Sequence, residues 1–298
     1  MKELKINKAL LTRGHVHLVE PCCWEQYAES SFSVDLDDSE KIEEELFDDV
    51  SGTAIALMAV SGACYYKTGV KKEWLKYVYA IEWTHVLDEL SELVANPKIA
   101  SIIIDMDSPG GAVFGTPEAA EKMAELSAKK KIIVYANPGI FSAAYWVASQ
   151  ASEIYMLPSG YVGSIGTLIM HQDYSGMYTK MGIETTVIKY PERKAETNPY
   201  EALTSGAKKR LQDDAERIYQ SFVDSVAKGR KVSSDFVMKN FGQGGILNAE
   251  QALSVGAVDG VMTFDELVSL EISKTSTNNS KNFQSVNNLN KIKLELEL

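Results

Sequence analysis

The sequence is poor in the residues from which metal sites and disulfides are built. It has three cysteines in 298 residues, two of them adjacent at Cys22 and Cys23, and its four histidines form no His-Glu-x-x-His pattern. No disulfide framework or zinc-ligand spacing fits these residues, so reduced thiols are expected, with no metal and no cofactor. A basic balance is also missing: 41 acidic residues outweigh 30 basic ones, for a net charge of −11. A nucleic-acid partner needs a positive stripe, so that class is excluded. The longest basic run, Lys129-Lys130-Lys131, follows a helix-like segment and is expected to be a solvated C-terminus favoured by the helix dipole. No stretch approaches the ~20 apolar residues of a membrane helix. The opening Met1-Lys2-Glu3-Leu4-Lys5 lacks the apolar centre of a secretory signal. No membrane anchor and a cytoplasmic location are therefore expected. There is no P-loop and no Gly-x-Gly-x-x-Gly fingerprint, which disfavours nucleotide chemistry.

What is present is an alternation of short apolar runs with amphipathic stretches. Residues 1–50, acidic around Asp35 to Asp38 and Glu43 to Glu45, read as an arm. Residues 51–272 read as one domain. Gly52 to Gly62 suits a buried strand, Trp74 to Leu93 has helical spacing, and Ile102-Ile103-Ile104 is a second strand. A helix over about Pro117 to Lys129, the strand Ile132 to Tyr135 and a helix beginning at Ser142 follow. Tyr155 to Leu157, Thr167 to Met170 and Thr185 to Ile188 supply further strands, and Ala207 to Arg230 a long amphipathic helix. This order implies an α/β fold with a mainly parallel sheet covered by helices. Residues 273–298, rich in Ser, Thr and Asn, read as a disordered tail.

Chemistry could reside in three segments. Asp107-Ser108-Pro109-Gly110-Gly111 follows an apolar strand, and its glycines let backbone N–H groups approach a ligand. In Gly139-Ile140-Phe141-Ser142-Ala143-Ala144, a glycine turn delivers Ser142 to a helix start, where the Ala143 amide could stabilise an oxyanion. The small alanines leave room for a substrate carbonyl. On this segment alone, a plain N-cap is the commoner role for such a serine. In Ile188 to Pro199, Lys194 could serve as a base, but only if its amine is desolvated, and a solvated loop charge is the commoner state of such a residue. A Ser142, His171 and Asp173 relay is a weaker option, since near neighbours on a strand are poorly placed for one.

Taken in order, these segments resemble the signal peptide peptidase A family and its tailed-phage relatives, the head-maturation proteases. The resemblance spans roughly residues 52 to 265 and includes Gly163-Ser164-Ile165-Gly166, Asn198-Pro199-Tyr200 and Gly256-Ala257-Val258-Asp259. It implies a crotonase/Clp-protease-like fold and a serine peptidase. Ser142 would be the nucleophile, Lys194 the general base and Ser164 the residue that orients the lysine, with oxyanion amides at Gly110, Gly111 and Ala143. Lys189 is a second candidate base. Tyr190-Pro191 and Phe141 depart from the family pattern. The resemblance further implies a ring-like homo-oligomer and protein or peptide substrates, with capsid, scaffold or portal proteins expected on the phage branch. The alternatives are a peptide-degrading signal-peptide-peptidase-like enzyme, an acyl-CoA enzyme of the crotonase type and a non-catalytic capsid-assembly protein.

Overall fold

Ile102-Ile103-Ile104 and Ile132-Ile133-Val134 do not alternate with polar residues, so strands containing them must be buried on both faces. All six residues are fully buried. They lie side by side at the centre of a parallel sheet in a computed structural model that describes residues 18–19, 46–48, 54–68 and 79–275. Most of the arm at 1–50 and all of the tail beyond residue 275 lie outside the described residues.

Two short strands, β1 (Leu18–Val19) and β2 (Leu46–Asp48), come first, then β3 (Ala54–Ser61), β4 (Ala63–Tyr65) and β5 (Ala80–Glu82). Helix α1 (Trp83–Ala95) leads to β6 (Ile99–Ser108), β7 (Gly110–Gly111) and α2 (Thr116–Ser127). Next are β8 (Lys131–Phe141), α3 (Ala143–Ala148), β9 (Glu153–Met156) and β10 (Tyr161–Gly163). The remainder is α4 (Ser175–Lys180), α5 (Ser205–Arg230), α6 (Ser234–Asn240), β11 (Ile246–Asn248), α7 (Ala249–Ser254), β12 (Gly260–Val261) and a helix α8 over 264–275.

The main sheet runs β11-β10-β8-β6-β3-β2, with β9 and then β12 beside the first half of β8. Strands β3, β6, β8, β9 and β10 are parallel. The α/β class and mainly parallel sheet expected from the alternation are therefore present. One face of the sheet packs on α1, α2, α3 and the C-terminal half of α5, and the other on α8 through Ile103, Ile133, Tyr135 and Leu267. A smaller sheet, β1-β7-β4-β5, lies at the end of β3 and β6.

Several expectations need correction. The first helix begins at Trp83, because Ala80–Glu82 pairs with β4 as a strand. Thr167 to Met170 and Thr185 to Ile188 are not strands: they are apolar runs without a partner strand among the described residues, and no residue from 166 to 206 is buried. Lys130 and Lys131 are not merely solvated. Lys130 Nζ donates to the carbonyls of Leu93 at 3.1 Å and Asn96 at 2.5 Å, capping α1, and Lys131 bridges Glu153 and Glu271 at 3.0 and 2.9 Å. Helix α5 buries Phe222 and Val226, whereas Leu211, Ala215 and Ile218 in its N-terminal part are only half-buried.

Candidate active site

Parallel strands collect functional groups at their carboxyl ends, where the chain turns into loops and helix starts. Here β8 ends at Phe141, paired with Gly163 at the end of β10, so the two following residues, Ser142 and Ser164, emerge from adjacent strand ends. The Ser142 N–H donates to the Gly163 carbonyl at 2.8 Å and ties the two turns together.

Both serines have left-handed backbone angles. Ser142 sits at φ 50° and ψ −125°, and Ser164 at φ 54°. A non-glycine residue in such a conformation costs about 1–3 kcal/mol and persists only where its surroundings hold it. Around Ser142 that support is helix α3, all six residues of which are buried. Tyr145 donates its hydroxyl to the Ala257 carbonyl at 2.8 Å, and Trp146 stacks on Phe222 with ring centroids 4.5 Å apart. Ser164 is held by its N–H, which donates to the Gly245 carbonyl at 2.8 Å.

Ser142 is not a capping residue. Its side chain makes no hydrogen bond to the helix it precedes. With Ser164 it lines a cleft of about 510 Å³ whose apolar walls include Ile165, Leu168, Tyr219 and Met238. Ala143 and Ala144 are fully buried behind the serine. Their small size allows close helix packing.

In the turn after β6, the Gly110 N–H donates to the Ser108 hydroxyl at 3.2 Å and is committed within the turn. Gly111 pairs with Cys64 of β4, and the Ala112 N–H donates to the Cys64 carbonyl at 2.8 Å.

Lys194 lies in a short 3-10 turn, Glu192–Ala195, and is exposed. It is not among the residues that line the cleft. Lys189 is committed to Glu201, with its Nζ 2.5 Å from the carboxylate, whereas Lys194 makes no ion pair among the described residues. His171 contacts the Asn198 carbonyl through Nε2 at 3.2 Å, and Asp173 accepts from the Ser175 N–H at 2.8 Å. Neither bond joins the two side chains into a relay. No group of three or more metal-ligating side chains occurs among the described residues, and no helix there is long and apolar enough to cross a membrane.

Sequence reasoning overlooked Tyr219, Met238 and the loop Gly242-Gln243-Gly244-Gly245, which closes the cleft and anchors Ser164. Three glycines in four residues were the available signal, and Gln243 between them is itself left-handed at φ 51°.

On the opposite face of β6, burial raises the Asp105 carboxyl to about 6. Asn137 hydrogen-bonds this group at 3.4 Å and opposes the shift, while the neighbouring charge of Asp107 adds to it. Burial also raises Asp107, which accepts a 3.0 Å bond from Tyr79. An unfolded aspartate releases its proton near ~3.9, so the native chain binds more protons between that pH and about 6. Stability contributed by Asp105 therefore falls as pH rises through this window and is level above it. Asp105→Asn should raise Tm relative to the parent at pH 8, with the difference vanishing near pH 4. A Tm difference independent of pH would contradict this assignment.

Comparison with known proteins bears on the same residues. A protein of Methanocaldococcus jannaschii named as a protease is 32% identical over 182 residues, covering 61% of this chain and 58% of the relative. Capsid assembly protease C of Escherichia phage lambda is 26% identical over 216 residues, covering 72% of this chain and 48% of that protein. An Enterococcus faecium protein named as a signal peptide peptidase SppA is 27% identical over 242 residues, covering 80% and 69%. The chain thus spans about half the length of the first two. Among solved structures, a mutant of a membrane-bound stomatin-specific protease aligns with a TM-score of 0.43 at 15% identity, covering 72% of this chain and 83% of the other. Residues 124–275, just over half of the chain and including both cleft serines and the lysine turn, match Peptidase family S49, and the chain belongs to that family.

Proposed function

We propose that the chain is a serine endopeptidase in which Ser142 is the nucleophile and Lys194, supplied by a neighbouring copy, is the general base. The observation that carries this reading is a strained serine whose hydroxyl is free of capping duty and faces a cleft beside a second serine. The amine takes the Ser142 proton, and Ser142 Oγ attacks the peptide carbonyl. The amides of Gly111 and Ala143 hold the oxyanion, and Ser164 orients the amine. The amine returns the proton to the leaving nitrogen, and water then hydrolyses the acyl-enzyme.

A lysine acts as a base only when sheltered from water. In the single chain Lys194 is exposed, on a segment bearing Ile188 at 95% and Tyr190 at 94% exposure. Bare apolar side chains of this size call for a covering surface. A second copy would supply it and shelter the amine in the same step. Of the two lysines, Lys194 is favoured because Lys189 is held by Glu201.

The substrates are extended polypeptides, and membership of a peptidase family weighs against acyl-CoA chemistry. The finer reading is processing of capsid, scaffold or portal proteins in assembling phage heads, supported by the similarity to capsid assembly protease C. The test is covalent labelling by a fluorophosphonate, read by peptide mass mapping alongside cleavage of co-expressed head proteins. Label on Ser142 in the parent and none in Ser142→Ala is the expected result. Labelling elsewhere, or equal cleavage by the variant, would overturn the assignment.

A further inference from the structure

The turn between β6 and β7 is held by one side chain that takes no part in the chemistry above. Ser108 is fully buried. Its hydroxyl donates to the Gly62 carbonyl at 2.6 Å and accepts from the Gly110 N–H at 3.2 Å. The Cys64 thiol lies 3.3 Å from the same oxygen. A hydroxyl has one proton to give. With that proton on Gly62, the thiol must be the donor to Ser108, consistent with burial pushing the Cys64 thiol up to about 12 and keeping it protonated.

These bonds decide which turn amide faces outward. Pro109 has no N–H, so only Gly110 and Gly111 offer amides before Ala112. Ser108 draws the Gly110 amide inward. In the parallel pairing of Gly111 with Cys64, the Ala112 N–H points towards β4, which turns the Gly111 N–H to the opposite edge. In the single chain Leu18–Val19 runs antiparallel along that edge with Leu18 opposite Gly111, so a substrate's extended chain would take the place of this short strand and free the amide. We infer that Ser108 is a positioning residue whose hydroxyl, shared between Gly62 and Gly110, fixes the Gly111 amide as an oxyanion donor. This inference rests on the reading of Ser142 as nucleophile.

Without the hydroxyl, the Gly62 carbonyl and the Gly110 N–H both lose a buried partner, and the turn relaxes to recover one. The ground-state complex depends little on where the Gly111 amide points, whereas the tetrahedral intermediate depends on it directly.

The experiment compares Ser108→Ala, Ser108→Cys and Ser108→Thr with the parent in full-length protein, measuring kcat, KM and Tm on a peptide substrate and the rate of fluorophosphonate labelling. Loss of the hydroxyl should lower kcat about tenfold or more with KM within about twofold. Labelling should slow in proportion, because the phosphonate adduct uses the same amides. Ser108→Thr, which keeps a hydroxyl, should restore kcat to within about threefold. Should Ser108→Ala fail to fold, Ser108→Cys, close in volume and a weak acceptor, carries the same expectation. An unchanged kcat in a folded Ala or Cys variant would overturn the inference, as would kcat, KM and Tm declining together without rescue by threonine. If the parent itself takes no label at Ser142, it is the nucleophile assignment that fails, a result distinct from either.

Discussion

Chains carrying Ser142→Ala and chains carrying Lys194→Ala are each expected to lose on the order of 10³-fold or more in kcat, because a nucleophile and its base act as a unit. Refolded together at equal concentration, the two should regain roughly a quarter of the parental activity, since half of the intact serines then meet an intact lysine on the next copy of a closed assembly. The prediction follows from the exposure of Lys194, its absence from the cleft lining and the unburied segment around it. Lys194→Arg should be as inactive as the alanine variant, because a guanidinium keeps the charge but cannot accept a proton. Activity of the arginine variant would reduce Lys194 to an electrostatic contact. A mixture no more active than its parts would put serine and base on one chain. Undiminished cleavage by either single variant would remove that residue from the mechanism.

The parts of this site that depend on local chemistry were legible in the sequence, and those that depend on closure were not. The apolar runs Ile102-Ile103-Ile104 and Ile132-Ile133-Val134 identify two central strands, and a glycine turn followed by Ser142 and a buried apolar helix identifies a strand-to-helix elbow. The cleft walls are different. Tyr219 comes from the middle of α5 and Met238 from α6, each far in sequence from the serine they face, and nothing in their local pattern distinguishes a cleft wall from a core position. Thr185 to Ile188 read as a strand because β-branched residues suit one. A strand also needs a neighbour to take its hydrogen bonds, and the described chain supplies none there. The same property misled the strand assignment and exposes the surface on which a second copy is proposed to dock. Ser108 was visible as part of a motif, yet its function lies in bonds to Gly62 and Gly110, the first of them 46 residues away.

Gly111→Ala is expected to be the most damaging single-methyl change in the turn. A Cβ at this position would lie 2.1 Å from the Cys64 carbonyl oxygen and 2.5 Å from its nitrogen. Both are backbone atoms of the adjacent strand, so no side chain can swing aside, and β4 and β7 must separate. Overpacking of this kind costs about 3 kcal/mol, which in a domain of this size lowers Tm by about 10 °C. Separation of the strands also moves the amide proposed to hold the oxyanion, so kcat should fall by on the order of 10²-fold even at temperatures where the variant remains folded. Gly176→Ala is the control. It lies in α4 with nothing within 4 Å of the added methyl, and its Tm should match or slightly exceed that of the parent. Differential scanning calorimetry on the two variants, with kcat measured well below both transitions, separates the effects. A Gly111→Ala protein with parental Tm would mean that the strands are looser than their pairing indicates. A folded variant with parental kcat would remove the Gly111 amide from the oxyanion hole.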